Sequence, residues 1–157
     1  MRIRQAIQAD AAGIAAVVHA MNELRSVAQQ SSEVTANTIE VNLERMAACG
    51  SSTAYVAEEP EGTVVGYGAV HWVPFLFLSG GEAYVTELFV SPSNAGKGIG
   101  SNLLETIVTE AKRRGCARVS LLNGRDAEAY RRAFYKKRGW VERDRMANFI
   151  FPIAKPA

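Results

Sequence analysis

The sequence predicts a mixed α+β domain with one central sheet, and two observations carry this prediction. Some segments repeat apolar residues at the spacing of an amphipathic helix, whereas others are short β-prone runs bounded by glycine and proline. Their order along the chain is β-α-α-β-β-β-α-β-α-β-β, which describes helices packed against a single sheet. The chain has 157 residues, which suits one domain spanning residues 1–157.

The N-terminal part is predicted to form a strand and two helices. Arg2 to Ala6 alternates apolar with polar residues, as a short strand does. Asp10 is expected to cap the first helix, because its carboxylate can accept an otherwise unpaired backbone N–H. The apolar face of this helix comprises Ile14, Val17, Val18, Met21 and Leu24. Thr38 is expected to open the second helix, whose apolar face comprises Ile39, Leu43 and Met46.

The middle of the chain is predicted to consist of consecutive antiparallel strands. Thr53 to Glu58 leads into a turn at residues 59–62, after which Thr63 to Trp72 returns as the partner strand. Pro74 ends that strand because proline lacks the N–H that a ladder requires. Ala83 to Val90 is predicted to be the next strand of the same, mostly antiparallel sheet.

The C-terminal part is predicted to alternate helices and strands. Gly98 to Arg114 has the apolar spacing of a helix, with Ile99, Leu103, Ile107 and Ala111 on one face. Ala117 to Leu122 is predicted as a strand and Asp126 to Arg138 as a helix. Trp140 to Arg143 and Met146 to Phe151 are predicted as a closing pair of strands.

Charge and cysteine content exclude several classes of partner. The 18 basic residues nearly balance the 16 acidic ones, which gives no reason to expect nucleic-acid or membrane binding. No long apolar region follows the N-terminus, and Val73 to Leu78 is far too short to span a bilayer. Cys49 and Cys116 lie far apart without a paired spacing, which predicts reduced thiols, no metal site and a cytoplasmic location.

A glycine-rich turn, Gly96-Lys97-Gly98-Ile99-Gly100, stands between a strand and a strongly periodic helix. Glycines allow positive φ, and the helix start behind them offers backbone N–H groups and a positive dipole end, so the turn suits a phosphate or diphosphate. A P-loop is excluded because Gly98 stands where Ser or Thr is required, and Ser101 and Leu103 exclude the GxGxxG fingerprint. A flexible turn before an ordinary helix is the alternative interpretation.

Two longer motifs resemble those of the GNAT superfamily of N-acetyltransferases. The family's coenzyme motif, Gln/Arg-x-x-Gly-x-Gly/Ala, falls on Ala95 to Gly100, after Leu88-Phe89-Val90-Ser91-Pro92. Its second signature, an Asn followed by a helix with Phe-Tyr and a Gly-Phe end, resembles Asn123 to Trp140. The element order also matches along nearly the whole chain. Ala95 and Trp140 depart from the family pattern, since Gln or Arg and Phe are usual there.

The resemblance implies a GNAT-type fold and acetyl-CoA as cosubstrate, with no metal. The pantetheine arm would lie in a gap between the strand ending at Val90 and the strand ending at Asn123, pairing like an added strand. The glycine-rich turn would hold the diphosphate through backbone N–H groups. The residues so implied in coenzyme binding are Leu88, Phe89, Val90, Ala95, Gly96, Lys97, Gly98, Ile99, Gly100, Ser101, Asn123 and Tyr130.

The resemblance also implies a reaction: direct attack of an amine on acetyl-CoA in a ternary complex. Tyr135 matches the family's general acid, and its ordinary pKa of about 10 exceeds the roughly 8.5 of a thiol, so it can protonate the leaving thiolate. The alternative for Tyr135 is a buried aromatic side chain with a satisfied hydroxyl. Without the family match, a tyrosine in this pattern would be assigned to the core.

Glu87 is the leading candidate for the general base. Strict alternation places it on one face with Ala83 and Val85, opposite Tyr84, Thr86 and Leu88. A carboxylate paired to a cation is the alternative interpretation. His71, at the end of a strand, is a second candidate base, and His19, inside the first helix, is a weaker one.

The acceptor is expected to be the primary amine of a small molecule. A protein or peptide acetyltransferase and a non-catalytic acyl-CoA-binding sensor are the alternatives. The apolar segment Trp72 to Leu78 has three interpretations: the lining of an acceptor pocket, the interface of a homodimer, or a loop that covers the core.

Overall fold

The computed structural model describes residues 1–21, 30–151 and 153. These residues divide into two compact units, Met1–Leu122 and Asn123–Ala157. The single domain expected from the sequence stays a prediction.

The first unit contains a five-stranded sheet with the strand order β1-β2-β3-β4-β5. β1 to β4 are antiparallel to their neighbours, and β5 runs parallel to β4, so the predicted mixed, mostly antiparallel sheet is confirmed. The strands are β1 (Arg2–Gln5), β2 (Ser52–Glu58), β3 (Val64–Val73), β4 (Glu82–Val90) and β5 (Arg118–Leu121). The helices are α1 (Ala11–Ala20), α2 (Ser32–Cys49) and α3 (Ile99–Arg113).

Two apolar layers form the core on the two faces of this sheet. On one face, α3 buries the predicted stripe of Ile99, Leu103, Ile107 and Ala111 against the strands. Gly68 allows this close approach, because a Cβ built on it would lie 3.2 Å from Ile107 Cδ1. On the other face, α1 and α2 pack against β2 and β3 through Ile14, Val17, Val18, Leu43, Val56 and Tyr67.

The predicted cap of the first helix is wrong. Asp10 lies at the start of α1, but its side chain makes no capping bond to that helix. Its carboxylate instead accepts the Ile7 N–H at 2.8 Å and both terminal nitrogens of Arg4 at 2.7 Å. A 3₁₀ turn at Gln8–Asp10 precedes the helix and orients the carboxylate toward β1. Leu24, the last residue of the predicted apolar face, lies outside the described residues.

The second helix begins before Thr38, the residue expected to open it. Ser31 is the cap, because its hydroxyl accepts the Val34 N–H at 3.2 Å. Thr38 lies inside the helix, where its hydroxyl donates to the Val34 carbonyl at 2.9 Å. A serine just before the helix was the signal for the earlier start.

In the second unit, the predicted long helix at Asp126 to Arg138 is wrong. The helix α4 covers only Glu128–Arg131, and a separate 3₁₀ turn covers Lys136–Arg138. The interruption has a local cause: Ala133 adopts a φ of 52°, which no continuous right-handed helix accommodates.

The predicted closing strands at Trp140 to Arg143 and Met146 to Phe151 are also wrong for the residues that the structure describes. Neither range is a strand, and the side chains of Val141, Phe149 and Phe151 are exposed. A strand requires a hydrogen-bonded neighbour, and no strand is found among the described residues of this unit. β propensity alone therefore did not decide the structure of these segments.

Membrane-spanning helices and metal-binding clusters are both lacking in residues 1–21, 30–151 and 153. There, no helix is long and apolar enough to cross a bilayer. The same residues contain no cluster of three or more His, Cys, Asp or Glu side chains that could hold a metal ion. Cys49 and Cys116 are free thiols.

A cluster of charged groups joins β1, β2 and the turn before α1. Arg4 pairs with Asp10, which is only 7% exposed, and with Glu58 at 2.9 Å. The hydrogen bonds from Arg4 lower the pKa of both carboxyl groups, and the Ile7 N–H lowers that of Asp10 further. These bonds fix the N-terminal strand to the edge of the sheet.

We expect Arg4→Met to lower the free energy of unfolding more at about pH 7 than at about pH 3. Because the folded pKa values of Asp10 and Glu58 are depressed, their contribution is present above the ordinary carboxyl values of about 4 and is lost as the pH falls. Urea titrations at the two pH values test this, with Arg45→Met on the exposed face of α2 as the control. An equal loss of unfolding free energy at both pH values would contradict a stabilising role for the ion pairs of Arg4.

Candidate active site

The edge of β4 that faces β5 is open along its second half. β5 pairs with β4 only from Glu82 to Val85, because β5 ends at Leu121. β4 continues from Thr86 to Val90, and within the described ranges no strand pairs with this part of the edge. The opposite edge of β4 is occupied by β3 as far as Val90. Backbone groups of residues 88–90 on the open side are therefore available to an extended ligand.

β4 contains a bulge at the start of its open part. Ala69 of β3 pairs with Glu87, but the next residue, Val70, pairs with Val85. Thr86 is thus an extra residue that pairs with no residue of β3 in the backbone ladder. Such an insertion bends a strand and shifts its side-chain alternation by one residue.

This bulge reverses the face on which Glu87 was expected. Ala83 and Val85 pack in the α3-side core, and beyond the bulge Leu88 packs there too. Glu87 lies on the other face, beside Tyr67. The predicted sharing of a face with Ala83 and Val85 is therefore wrong, although Glu87 does lie opposite Leu88.

Glu87 is bound by a buried hydroxyl. The Tyr67 hydroxyl, in a side chain only 4% exposed, donates to Glu87 Oε2 at 2.7 Å. Burial and the nearby Glu87 charge raise the pKa of Tyr67 above its ordinary value, so Tyr67 remains a donor. The observed partner is a hydroxyl and not the cation that the alternative interpretation required.

The glycine-rich turn after β4 has the geometry of an open backbone site. Gly96 and Gly98 adopt φ values of 79° and 81°, a region in which side chains are strained. No atom lies within 4 Å of a Cβ built on either glycine, so the space beside the turn is open. Gly98 is the N-cap of α3, and the first backbone bond of that helix runs from the Asn102 N–H to the Gly98 carbonyl at 3.1 Å.

A positive charge is held within this turn. Lys97 Nζ donates to Asn94 Oδ1 at 2.6 Å, and the Asn94 side chain is almost completely buried in the 3₁₀ turn Pro92–Asn94. Ala95 contributes no polar side chain, and Lys97 is the one charged residue from Ser91 to Ser101. The helix start and this cation together favour an anion at the turn.

Asn123, the first residue of the second unit, carries an unsatisfied donor. Its Nδ2 is buried and has no hydrogen-bond partner among the described residues. Buried amide donors are nearly always paired in folded proteins, so an unpaired one indicates a missing partner. A carbonyl of a bound ligand, such as an amide of pantetheine, fits this requirement.

Tyr135, the expected general acid, lies in an aromatic cluster of the second unit. Its ring is 4.9 Å from that of Phe134 and 5.9 Å from that of Trp140, measured between centroids. Burial raises the pKa of Tyr135 above its ordinary value. The hydroxyl therefore keeps its proton at neutral pH, as a general acid must.

Tyr130, the other tyrosine expected at the coenzyme, is bonded within its own unit. Its hydroxyl donates to Glu142, at 3.0 Å from Oε2. Arg125 and Lys136 also bind this carboxylate, and the hydrogen bonds from Lys136 and Tyr130 lower the pKa of Glu142. The hydroxyl thus has a structural partner, so any contact between Tyr130 and the coenzyme would be made by the aromatic ring.

The two histidines occupy different environments. His19 joins α1 to α2 through a hydrogen bond of 2.9 Å between its Nε2 and Thr35 Oγ1, which accounts for it structurally. His71 is exposed on β3 opposite Tyr84.

The apolar segment Trp72 to Leu78 lies at the far end of β4 from the glycine-rich turn. Leu76 and Phe77 are 108% and 87% exposed, so the core-covering interpretation is wrong for these residues. Val73, Pro74, Phe75 and Leu78 line a groove of about 620 Å³ together with residues near Cys49 and Cys116. The groove adjoins Glu82, and the length of β4, roughly 3.3 Å per residue, separates it from Val90.

Sequence reasoning missed Tyr67 and Asn94. Tyr67 stands between two glycines in a strand, and its partner Glu87 could be found only from the strand register. Asn94 precedes the coenzyme motif by one position, and Lys97 follows it three positions later, a spacing that suits a turn. Neither signal is specific without the structure.

The chain is similar to known proteins over most of its length. The acetyltransferase (GNAT) family profile matches residues 18–140. An IAA acetyltransferase of Azospirillum brasilense is 36% identical over 89 residues, which cover 57% of this chain and 55% of the relative. The match thus spans about half the length of that relative.

Solved structures share the fold at low sequence identity. A transcriptional regulator from Bacillus halodurans C-125 has a TM-score of 0.80 and 22% identity, over 96% of this chain and 99% of that one. An acetyltransferase of Trypanosoma brucei has a TM-score of 0.71 and 21% identity, over 96% of this chain and 99% of that one. With the profile covering most of the sequence, the chain belongs to the acetyltransferase (GNAT) family.

Proposed function

We propose that this protein transfers the acetyl group of acetyl-CoA to the primary amine of a small molecule. The observation that carries the proposal is the open edge of β4, from Thr86 to Val90, which leads directly into the glycine-rich turn and the start of α3. A ligand with an extended, amide-bearing arm and a diphosphate at one end would meet the open strand edge first and the helix start next.

The coenzyme would be held mainly by backbone groups. The amides of Gly96 to Gly100 and Ser101 bind the diphosphate, and Lys97 adds a positive charge that Asn94 holds in place. Residues 88–90 pair with pantetheine as an added strand would, and Asn123 Nδ2 donates to one of its carbonyls. Ala95 leaves no side-chain contact at its position, so the affinity depends on the backbone and on Lys97.

The reaction needs three groups, and the chain offers a candidate for each. Glu87 accepts a proton from the acceptor ammonium, which frees the nitrogen lone pair to attack the thioester carbonyl. A backbone N–H near Phe89 or Val90 stabilises the oxyanion. Tyr135 then protonates the leaving thiolate, and solvent later restores the proton of Tyr135 and removes that of Glu87.

We expect acetyl-CoA turnover with a subset of small primary amines, read as release of the free coenzyme thiol. The open turn and the β4 edge can bind the coenzyme without the acceptor, so coenzyme binding should be seen with every amine. Peptides with a free N-terminus or lysine serve as the comparison set. Turnover confined to peptides would contradict a small-molecule acceptor. Coenzyme binding without turnover of any amine or peptide would favour a non-catalytic acyl-CoA sensor.

Tyr135→Phe should lower kcat by about 10²-fold or more and leave the dissociation constant of CoA unchanged, because only the proton donor is removed. Since burial raises the pKa of Tyr135, activity that depends on its proton should be lost only at strongly alkaline pH. Tyr55→Phe, a hydroxyl deletion in the α3-side core, is the matched control. Equal turnover of the Tyr135→Phe variant and the control would rule out Tyr135 as the acid.

A further inference from the structure

The contact between Tyr67 and Glu87 is not explained by the requirements of the core. A tyrosine inside the α1/α2-side core could satisfy its hydroxyl with a backbone carbonyl or leave it at the surface. Here the hydroxyl reaches an exposed carboxylate on the neighbouring strand, at 2.7 Å. The Tyr67 ring meanwhile packs against Phe89, with ring centroids 5.7 Å apart, so the side chain is held at both ends.

The bulge at Thr86 is what makes this contact possible. Without the extra residue, regular alternation would turn Glu87 toward α3 and away from Tyr67. With it, Glu87 and Phe89 both lie on the face that carries Tyr67, and they do so on the part of β4 whose other edge is open. One irregularity therefore sets both the orientation of the carboxylate and its place beside the proposed thioester site.

We infer that Tyr67 is a positioning residue that fixes the carboxylate of Glu87 for proton transfer from the acceptor amine. This inference rests on the proposed function and names a residue that the motifs do not contain. The bond engages Oε2 of Glu87, and among the described residues no donor binds Oε1. Oε1 is therefore the oxygen that takes the ammonium proton, while Oε2 stays fixed by Tyr67.

The Tyr67 hydroxyl keeps its proton over the working pH range, because burial and the nearby Glu87 charge raise its pKa. It therefore stays a donor to Oε2 of Glu87 throughout that range. A carboxylate held by one oxygen presents the other in a fixed direction, which suits proton transfer from a bound ammonium.

Several other titratable groups lie near this face. On the strands, His71 and Tyr84 lie opposite one another, on the same face and on the far side of the bulge from Glu87. α1 carries His19, which is bound to Thr35. α2, which packs on α1 and β2, carries the charged residues Glu33, Glu40, Glu44 and Arg45. Of these groups, His71 is the one on the same strand as Tyr67, so His71→Gln is the control variant for a neighbouring titratable group.

Tyr67→Phe is the sharpest test because it removes the hydroxyl and keeps the ring that packs on Phe89. The Glu87 carboxyl carbon is followed by NMR in ¹³C-glutamate-labelled protein, assigned with Glu87→Gln, in the absence of substrates. We expect the ¹³C resonance of the Glu87 carboxylate at neutral pH to move in Tyr67→Phe, because the hydrogen bond to Oε2 is lost. Tyr55→Phe and His71→Gln should leave this resonance in place. An unmoved Glu87 resonance in Tyr67→Phe would overturn the inference.

The steady-state constants for acetyl transfer give the second readout. Tyr67→Phe should lower kcat by about tenfold and leave the KM of acetyl-CoA unchanged, and it should add no further loss to Glu87→Gln, because it acts through Glu87. A purely structural role for Tyr67 would lower the melting temperature and leave kcat unchanged at a temperature where the variant is folded, and this result would overturn the inference. A wild-type protein without any acetyl transfer would instead refute the proposed function, and the positioning role with it.

Discussion

The early end of β5 is the constraint on which the rest of the site depends. Strands in a sheet normally satisfy both edges, yet β4 extends beyond Leu121 of β5 and leaves residues 86–90 open on one side. Exposed backbone donors and acceptors at a sheet edge invite an added extended chain. The same strand then turns at Pro92–Asn94 into Gly98 and α3, so an added chain would end at a helix start. The geometry therefore offers one ligand a β-type contact and an anion site in succession.

The bulge at Thr86 connects this edge to the chemistry. It lies at the point where the β4–β5 ladder stops, and it moves Glu87 to the face of Tyr67 and Leu88 into the α3-side core. A regular strand would have placed the carboxylate on the α3 side of the sheet, away from the Tyr67 hydroxyl. The irregularity thus separates the two roles that we propose for this strand, with backbone groups for the coenzyme and a side chain for the acceptor. The groove beside Phe75 and Leu78 lies at the other end of β4 and takes no part in this arrangement.

Much of the first unit could be predicted because its local signals agree with its packing. The helix expected at Gly98 to Arg114 is found at Ile99–Arg113, and the strand expected at Thr63 to Trp72 is found at Val64–Val73. Periodicity and glycine positions were sufficient there. The face of Glu87 was not predictable, because a bulge is a property of two strands in register and leaves little trace in one. In the second unit, the positive φ of Ala133 and the lack of a partner strand in the described residues overrode good local propensity.

The central claim is that the main chain of β4 and of the glycine-rich turn binds coenzyme A. Amide hydrogen–deuterium exchange with and without CoA tests it residue by residue. We expect slower exchange on binding for amides in residues 88–101, with little change along β2, whose two edges are already paired. Unchanged exchange in residues 88–101 at saturating CoA, or protection confined to the groove near Phe75, would contradict it.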